Sequence, residues 1–483
     1  MSHKETLNEA VPLKPRIKIK DPEIIDSDIW NGDIFDRSKC AKVFKEIICE
    51  ETEPLVVAVN GKWGSGKTFF LQRFLKEYQS GTNAGLGIYL NAWEHDYLSN
   101  PLLYVFSGIE EAVISKPDIE FIDDKSWDIC KKSISKIAWN LIGKLSLGLS
   151  EGLDKIAGQY PSDIYRNQIT LVNQIKDTLK KLADTVRAKT ENPLLICIDE
   201  LDRCRPSYAI EMLERIKHFF NIPNIVFILG IDREQFSQCI RANYGEIDTE
   251  NYLHRFLDVE FVLPEPNRNA FIESIWNKSN IEECLAKIDL DNKTQSCSNE
   301  GSFFKQIFQL GAQIHELTLR EMQSALKWFA VTVRRISPMH YSFPTFIAIL
   351  VLIRLRNRTL YHKFITGNTT PKEVIDYILP IGSEKLYEED PWAYSNMIAV
   401  VYASFNSRRN ESVYLSELKS LVERTEVTEG MTQKFPLVII KMGRDFQTEL
   451  LSTIKSLPTA HGLRPMYGSE SLKIVRERLE SFL

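Results

Sequence analysis

The sequence predicts an α/β fold, with a five-stranded, mainly parallel sheet followed by a region that is helical throughout. Short apolar segments alternate with helical patterns as far as about residue 266, which indicates a parallel sheet with crossover helices. From about residue 268 the strand patterns fade, and apolar stripes at helical spacing predict helices at 269–286, 302–312, 319–331, 343–356, 372–379, 391–404, 411–423 and 468–482. A glycine-rich loop lies between the first strand and the helix after it. At 483 residues the chain is too long for one core, so we expect several domains.

Five apolar segments are expected to form the strands of the sheet. In chain order they are Leu55–Val59, Leu86–Trp93, Leu194–Ile198, Asn224–Ile231 and Val259–Leu263. Right-handed crossovers bring the carboxyl ends of parallel strands to one edge of a sheet. Side chains near those ends should therefore meet at that edge. They are Lys67, Asn91, Trp93, Asp199, Glu200 and Asp232.

The loop after the first strand fits the phosphate-binding pattern G-x-x-x-x-G-K-[ST]. Its residues are Gly61, Lys62, Trp63, Gly64, Ser65, Gly66, Lys67 and Thr68, and we include the adjoining Phe69 in the nucleotide site. Glycines let backbone N–H groups point at a phosphate, and the following helix adds its positive N-terminal dipole. Lys67 would contact the β- and γ-phosphates, and the Thr68 hydroxyl would bind Mg²⁺. The alternative is an ordinary glycine-rich turn between a strand and a helix.

An acidic pair follows the third strand, in the segment LLICIDE. Asp199 would coordinate Mg²⁺, and Glu200 would polarise the attacking water. The pair lies some 130 residues after the loop, which leaves room for at least one strand between the two strands that carry the site. That arrangement favours an ATPase of the additional-strand, catalytic-glutamate class over a GTPase, and we find no guanine-specific N-K-x-D motif.

Four further residues have two interpretations each. Asp202 and Arg203 would form a structural ion pair, or would order Glu200 or reach a neighbouring nucleotide. Asp232, after the strand ending ILGI, would sense the γ-phosphate or hold the water, or would cap the next helix. Arg255 precedes the last strand, where it would be a finger directed at the next subunit's nucleotide or a surface arginine.

Composition favours an intracellular, cytoplasmic protein. The net charge of −5 excludes an overall positive charge that would attract nucleic acid. A local basic groove remains an alternative. The eight cysteines form no metal-binding pairs and several lie in apolar runs, as reduced core thiols do. We find no signal peptide and no run of 18 apolar residues. Residues 134–156 would be a buried helical hairpin or a membrane-surface segment.

Six stretches together resemble the KAP family of P-loop ATPases, a group associated with phage defence in bacteria that also has animal membrane-scaffold members. They are DIFDRSKCAKVFKEII, VNGKWGSGKTFFLQRF, YLNAWEHD, CIDELDRCRP, ILGIDREQF with YLHRFLDVEFVLP, and LTLREMQSALKWF. The resemblance covers about residues 33–360. Many members carry transmembrane helices between the second and third strands. Residues 115–190 lack a spanning segment here, so we expect a soluble member without membrane anchoring.

The strand and helix patterns, together with the resemblance, give a domain plan. We expect an N-terminal arm over residues 1–32, a P-loop NTPase core over 33–266 with a helical insertion at about 115–190, a helical lid over 267–365 and a helical C-terminal domain over 366–483. ATP and Mg²⁺ are the implied cofactors, with Lys67, Thr68, Asp199 and Glu200 as the nucleotide and hydrolysis residues. Arg320, on a helix of the lid, would fold back over the phosphates.

Three functional hypotheses follow. The first is an oligomeric ATPase motor or switch, by resemblance in bacterial defence against phage or plasmids, and working with a partner effector because no nuclease or protease constellation stands out. The second is a scaffold that binds ATP tightly and turns over little. The third is a nucleic-acid-stimulated ATPase, suggested by Arg334, Arg335, Arg354, Arg356 and Arg358, although such arginines are usually solvated or paired.

Overall fold

The computed structural model describes residues 22–81, 83–97, 100–114, 161–284, 300–334, 344–406, 421 and 435–456. The chain divides into two compact units. One spans Pro22–Pro266, which we call the sheet unit. The other contains the described residues from Asn267 onward, which we call the helical unit. The domain boundaries expected at residues 32 and 365 stay predictions.

The sheet unit is built on five parallel strands in the order β2-β3-β4-β1-β5. The strands are β1 Leu55–Asn60, β2 Gly87–Asn91, β3 Leu194–Asp199, β4 Ile225–Ile231 and β5 Val259–Val262. Each lies within two residues of the segment expected from the sequence. Strand β4 separates β1 from β3, which confirms the additional strand between the loop strand and the acid strand.

Helices cover both faces of this sheet because its strands are apolar on both sides. The helices of the sheet unit are α1 Arg37–Cys49, α2 Lys67–Tyr78, α3 Pro101–Ile114, α4 Pro161–Thr190, α5 Pro206–Phe219, α6 Arg233–Tyr244 and α7 Thr249–Leu253. Alternate residues of β1 face opposite layers: Val57 and Val59 share one core with α1 and α2, while Val56 and Ala58 share the other with α3 to α6. The α/β fold class predicted from the sequence is confirmed.

The segment before α1 lies against α2, the helix that follows the phosphate loop. Arg73 donates to the carbonyl oxygens of Pro22 (2.6 Å) and Asn31 (3.4 Å). The Trp30 indole donates to Glu77 at 2.6 Å. Residues 22–31 therefore pack against this helix, whereas residues 1–21 lie outside the described part of the chain.

The helical unit buries one continuous apolar core. Its helices are α8 Arg268–Ser279, α9 Glu300–Ile314, α10 Leu319–Arg334, α11 Pro344–Arg356, α12 Arg358–Thr366, α13 Pro371–Ile378, α14 Pro391–Asn406, α15 Leu437–Lys441 and α16 Gly443–Ser456. The sequence predicted α8 to α11, α13 and α14 but missed α12, α15 and α16. The stripes expected at 411–423 (apart from residue 421) and 468–482, and the hairpin at 134–156, fall outside the described residues.

No helix in the described ranges is both long and apolar enough to cross a membrane.

Candidate functional site

The phosphate loop bends sharply where two glycines take positive φ. Gly64 has φ 76° and Gly66, the N-cap of α2, has φ 92°, a region that costs other residues strain. The backbone N–H of Ser65 donates to the Lys62 carbonyl at 3.1 Å, and that of Gly61 donates to Ile231 of β4 at 3.2 Å. These bonds hold the loop as a turn over the end of β1, with the N-terminus of α2 directly behind it.

Lys67 is the first residue of α2 and only 8% exposed. Its ammonium group donates to the carbonyl oxygens of Gly61 (2.5 Å) and Lys62 (3.4 Å), so the loop curls around it. Burial lowers the pKa of Lys67, and the charges of Asp202, Asp232 and Asp199 oppose that shift. A cation therefore sits among three carboxylates that come from two other strand ends.

The loop fits a phosphate group. The Ser65 hydroxyl is buried and has no hydrogen-bond partner among the described residues. A side chain at Gly61 would fill this cradle, because a Cβ there would lie 2.7 Å from the Ser65 oxygen. An orphan hydroxyl, a buried cation and a helix N-terminus are together the donor set that a polyphosphate requires.

Asp199 lies at the end of β3 and is fully buried. It accepts hydrogen bonds from the Tyr89 hydroxyl (2.9 Å) and from the backbone N–H of Glu200 (2.8 Å). A Cβ at Gly230 of β4 would lie 2.4 Å from Asp199 Oδ1 and 2.6 Å from Leu71 of α2. The Asp199 carboxylate thus lies beside Gly230 of β4, on the side of α2. Thr68 belongs to that helix, so the two predicted Mg²⁺ ligands would have to meet there.

Glu200 has a backbone conformation that is unusual for a residue with a side chain, with φ 59°. Its carboxylate pairs with Arg203 at 2.7 Å, whereas the nearby Asn91 amide donates to Glu94 at 3.0 Å. The Arg203 guanidinium in turn lies 5.7 Å from the ring centre of Trp93. Burial raises the pKa of Glu200, and the charge of Arg203 counteracts it. The backbone conformation and the ion pair with Arg203 therefore position the predicted water-activating group.

Asp232 caps α6 and also touches the phosphate loop. Its Oδ1 accepts from the Gln235 N–H at 3.3 Å, and its Oδ2 accepts from the Trp63 N–H at 2.9 Å. Asp232 therefore caps α6, as one of the two interpretations predicted. Its hydrogen bond with Trp63 of the phosphate loop was not suggested by the sequence.

Both arginines predicted to complete the site are exposed. Arg255 is exposed between α7 and β5. Nearby, Arg233 forms ion pairs with Glu250 of α7 and Glu260 of β5. Because Arg233 is the first residue of α6, these pairs connect the start of α6 with α7 and β5. Arg320 is exposed on α10 of the helical unit, and its place over the phosphates stays a prediction.

Sequence reasoning missed three residues that shape the site. Arg37 is 1% exposed and donates to the Ser65 carbonyl at 3.1 Å, while its Nε and Nη1 have no hydrogen-bond partner within the described ranges. Tyr89 holds Asp199, and Gly230 makes room for it. A glycine inside an apolar strand is a signal of close approach and could have been noticed. No comparable signal marked Arg37 or Tyr89.

A family model described as the KAP family P-loop domain matches residues 37–336. This chain belongs to the KAP family. The match begins at α1, includes the whole sheet with its loop and acid pair, and extends into the helical unit. The family membership inferred from the sequence motifs is confirmed.

Among characterised proteins, the chain is similar to the phage T7 exclusion protein of Escherichia coli K12, with 23% identity over 244 residues. That alignment covers 45% of this chain and 31% of the relative, so the chain spans about a third of the relative's length.

Among solved structures, Aeropyrum pernix ORC2 in ADPNP–ADP complexes gives a TM-score of 0.33 at 11% identity, covering 93% of this chain and 97% of that one. Drosophila ORC bound to GC-rich DNA and Cdc6 gives 0.29 at 12%, covering 95% and 63%. Similarity at this level supports no inference about the present chain.

Proposed function

We propose that this KAP-family protein is a Mg²⁺-dependent ATPase that works as an oligomeric switch or motor. The observation that carries the proposal is the position of Lys67: this buried cation, curled into the phosphate loop, faces the strand ends that carry Asp199 and Asp232. A P-loop with a carboxylate pair two strands away is the arrangement used for nucleoside triphosphate hydrolysis.

Each residue of the site has a separate task in this proposal. Lys67, the Ser65 hydroxyl and the loop N–H groups bind the phosphates. Thr68 and Asp199 hold Mg²⁺, which neutralises charge that develops on the phosphate oxygens. Glu200 accepts a proton from the attacking water, and its raised pKa brings it closer to the pH at which a base works best.

We further propose a cytoplasmic role in defence against phage or plasmids. Support comes from the relative named for phage T7 exclusion, which shares 23% identity over 244 residues. ATP binding and hydrolysis would drive a conformational change that a partner effector protein recognises. Arg255, exposed beside β5, would act as the finger in a homo-oligomer, and Arg320 would belong to the lid of the same site.

A nucleotide-gated scaffold with little turnover is the second candidate, and one contact favours it. Glu200 is held by Arg203 at 2.7 Å, and the charge of Arg203 opposes the rise in basicity that burial gives this carboxylate. If this pair persists when ATP binds, hydrolysis will be slow.

The nucleic-acid hypothesis has less support from the arginines of the helical unit. Arg354 is buried over the Trp328 ring, 4.5 Å from its centre. Arg356 pairs with Glu321 at 2.9 Å and donates to two carbonyl groups. Both are engaged in intramolecular contacts. Arg358 is exposed, and the side chains of Arg334 and Arg335 lie outside the described part.

ATP binding and hydrolysis by three variants separate these proposals. Lys67→Ala should abolish nucleotide binding, whereas Glu200→Gln should retain binding and lose hydrolysis by about a hundredfold or more. Lys76→Ala is the matched control, since this lysine of the same helix pairs at the surface with Asp26. Wild-type turnover that Glu200→Gln does not reduce would refute the ATPase mechanism. A wild type that binds ATP without turnover would favour the scaffold, and one that fails to bind Mg²⁺–ATP would refute both.

Particle mass with and without ATP tests the oligomer. A nucleotide-dependent ring or dimer that Arg255→Ala leaves intact but inactive would support the finger. A monomer in both states would count against it.

A further inference from the structure

Trp63, in the middle of the phosphate loop, is attached to two other strand ends. Its backbone N–H donates to Asp232 Oδ2 at 2.9 Å. Its indole Nε1 donates to Asp202 Oδ2 at 2.6 Å. The same Asp202 oxygen accepts the backbone N–H of Asp232 at 2.9 Å. Three hydrogen bonds thus connect one loop residue with the ends of β3 and β4.

The strand order explains why a tryptophan is needed here. The loop follows β1, Asp232 follows β4, and Asp202 lies in the short 3₁₀ turn Leu201–Arg203 after β3. Neighbouring strands are about 4.8 Å apart, so the contact from the loop to the turn crosses roughly 10 Å. Trp63 has a donor at the far end of a long, rigid side chain and can span this distance.

Asp202 is a buried carboxylate, 4% exposed. Burial raises its pKa, while the charge of Lys67 and the hydrogen bond from Trp63 lower it. A buried charge persists in a protein when donors satisfy it, and here the donors come from the loop and from β4. The Lys67 ammonium supplies charge compensation without a direct hydrogen bond to Asp202 in the described structure.

We propose that Asp202 is a positioning residue that braces the phosphate loop, through the Trp63 indole, against the strand ends carrying Asp199 and Asp232. The inference rests on the proposed nucleotide binding and adds a role for two residues outside the hydrolysis chemistry. A braced loop is pre-organised, so less conformational entropy is lost when a polyphosphate binds.

Three substitutions separate the brace from other roles. Trp63→Phe keeps a large ring and removes the indole donor. Asp202→Asn keeps an oxygen that can accept both hydrogen bonds and removes the charge that faces Lys67. Asp202→Ala removes the oxygen as well. Trp30→Phe is the matched control, because Trp30 makes an indole–carboxylate bond of the same 2.6 Å length to Glu77, near the C-terminal end of α2.

Hydrogen exchange of the loop amides, measured without nucleotide, tests the brace directly. Trp63→Phe and Asp202→Ala should each raise exchange over residues 61–66 by about tenfold, as expected for the loss of the hydrogen bond between the indole and the Asp202 oxygen. Asp202→Asn and Trp30→Phe should leave it near the wild-type rate. The double variant Trp63→Phe, Asp202→Ala should exchange no faster than Asp202→Ala alone, because both changes break the same contact.

The dissociation constant for Mg²⁺–ATPγS, measured by calorimetry, should follow the same order. Trp63→Phe and Asp202→Ala should weaken binding about tenfold, and Asp202→Asn should weaken it less. Thermal melting is recorded in parallel, because Asp202→Ala removes a buried group. If that variant does not fold, Trp63→Phe and Asp202→Asn still decide the matter.

Four results would overturn the brace: unchanged loop exchange in Trp63→Phe, equal effects of Asp202→Asn and Asp202→Ala, additive effects in the double variant, or equal effects of Trp30→Phe and Trp63→Phe. A wild type that does not bind Mg²⁺–ATPγS would refute the proposed function instead, and the exchange measurement would still judge the brace.

Discussion

The carboxyl edge of the sheet and the core of the helical unit bury very different side chains. At the sheet edge Lys67, Asp199, Asp202 and Asp232 are each less than 10% exposed and depend on one another's charges and on backbone donors. The helical core is instead dominated by apolar groups, with Phe304 and Phe329 stacked 3.6 Å apart. Buried charge costs stability and apolar burial supplies it, so the two regions should respond to substitution in opposite ways.

The largest expected effect is on stability in the helical core. Phe304 is fully buried and stacks on Trp276 as well as on Phe329. Phe304→Ala should lower the free energy of unfolding of this unit by about 3–5 kcal/mol. Denaturant unfolding measures the loss. Phe303→Ala is the control, since Phe303 is only half-buried and stacks on Trp392. An equal loss of unfolding free energy in the two variants would mean that Phe304 is no more important to the core than the half-buried Phe303.

Two glycines allow the same substitution in both regions. A Cβ at Gly311 of α9 would lie 2.2 Å from Leu352 of α11, so Gly311→Ala should cost about 1–3 kcal/mol through overpacking. A Cβ at Gly230 of β4 would lie 2.4 Å from the Asp199 carboxylate. Gly230→Ala should therefore displace Asp199 and reduce Mg²⁺-dependent ATP hydrolysis at least tenfold.

Hydrolysis and unfolding, measured on both glycine variants, sharpen the comparison. Gly311→Ala should change mainly stability, and Gly230→Ala should change mainly hydrolysis per folded molecule. Unaltered hydrolysis in Gly230→Ala would show that the position of the Asp199 carboxylate beside Gly230 is unimportant for the reaction.

The smallest effect concerns the pH dependence of stability at the sheet edge. Burial raises the pKa of Glu200 in the folded protein above its value in the unfolded chain. The folded state then binds more protons, so this group's contribution to stability falls as pH rises from the ordinary Glu range through the raised pKa. Glu200→Gln removes that loss, and the variant should become slightly more stable than the wild type towards neutral pH.

Unfolding free energies measured from about pH 4 to about pH 8 test this sign. The difference between Glu200→Gln and wild type should grow with pH and then level off. A difference that shrinks with pH would mean that the Arg203 pair outweighs burial.

The sequence alone predicted the strands, the loop, the acid pair and the strand inserted between them. These features are local: apolar runs define β1 and β3, and glycine spacing defines residues 61–68. The distance between the loop and the acids along the chain predicted at least one strand between β1 and β3, and the structure shows that this strand is β4. Helices α12, α15 and α16 were missed because α12 follows α11 after a single residue and because α15 is short and adjoins α16.

The tertiary structure decided which side chains surround the reacting groups. Asp202 was predicted as a partner of Arg203 or a group directed at Glu200, yet its carboxylate accepts from Trp63 and from the backbone of Asp232. Arg203 pairs with Glu200, which agrees with one of the two interpretations. The two partners of Asp202 lie 30 and 139 residues away from it along the chain, and no local pattern connects them.

What the sequence by itself determined is the architecture and the identity of the phosphate loop and acid pair, because periodicity and motif spacing depend on neighbours along the chain. What only the tertiary structure decided is how that loop is held: Arg37 behind Ser65, Tyr89 on Asp199, and Trp63 bound to Asp202. The physical reason is that buried polar groups must find donors and acceptors wherever the folded chain brings them, and strand order sets those meetings.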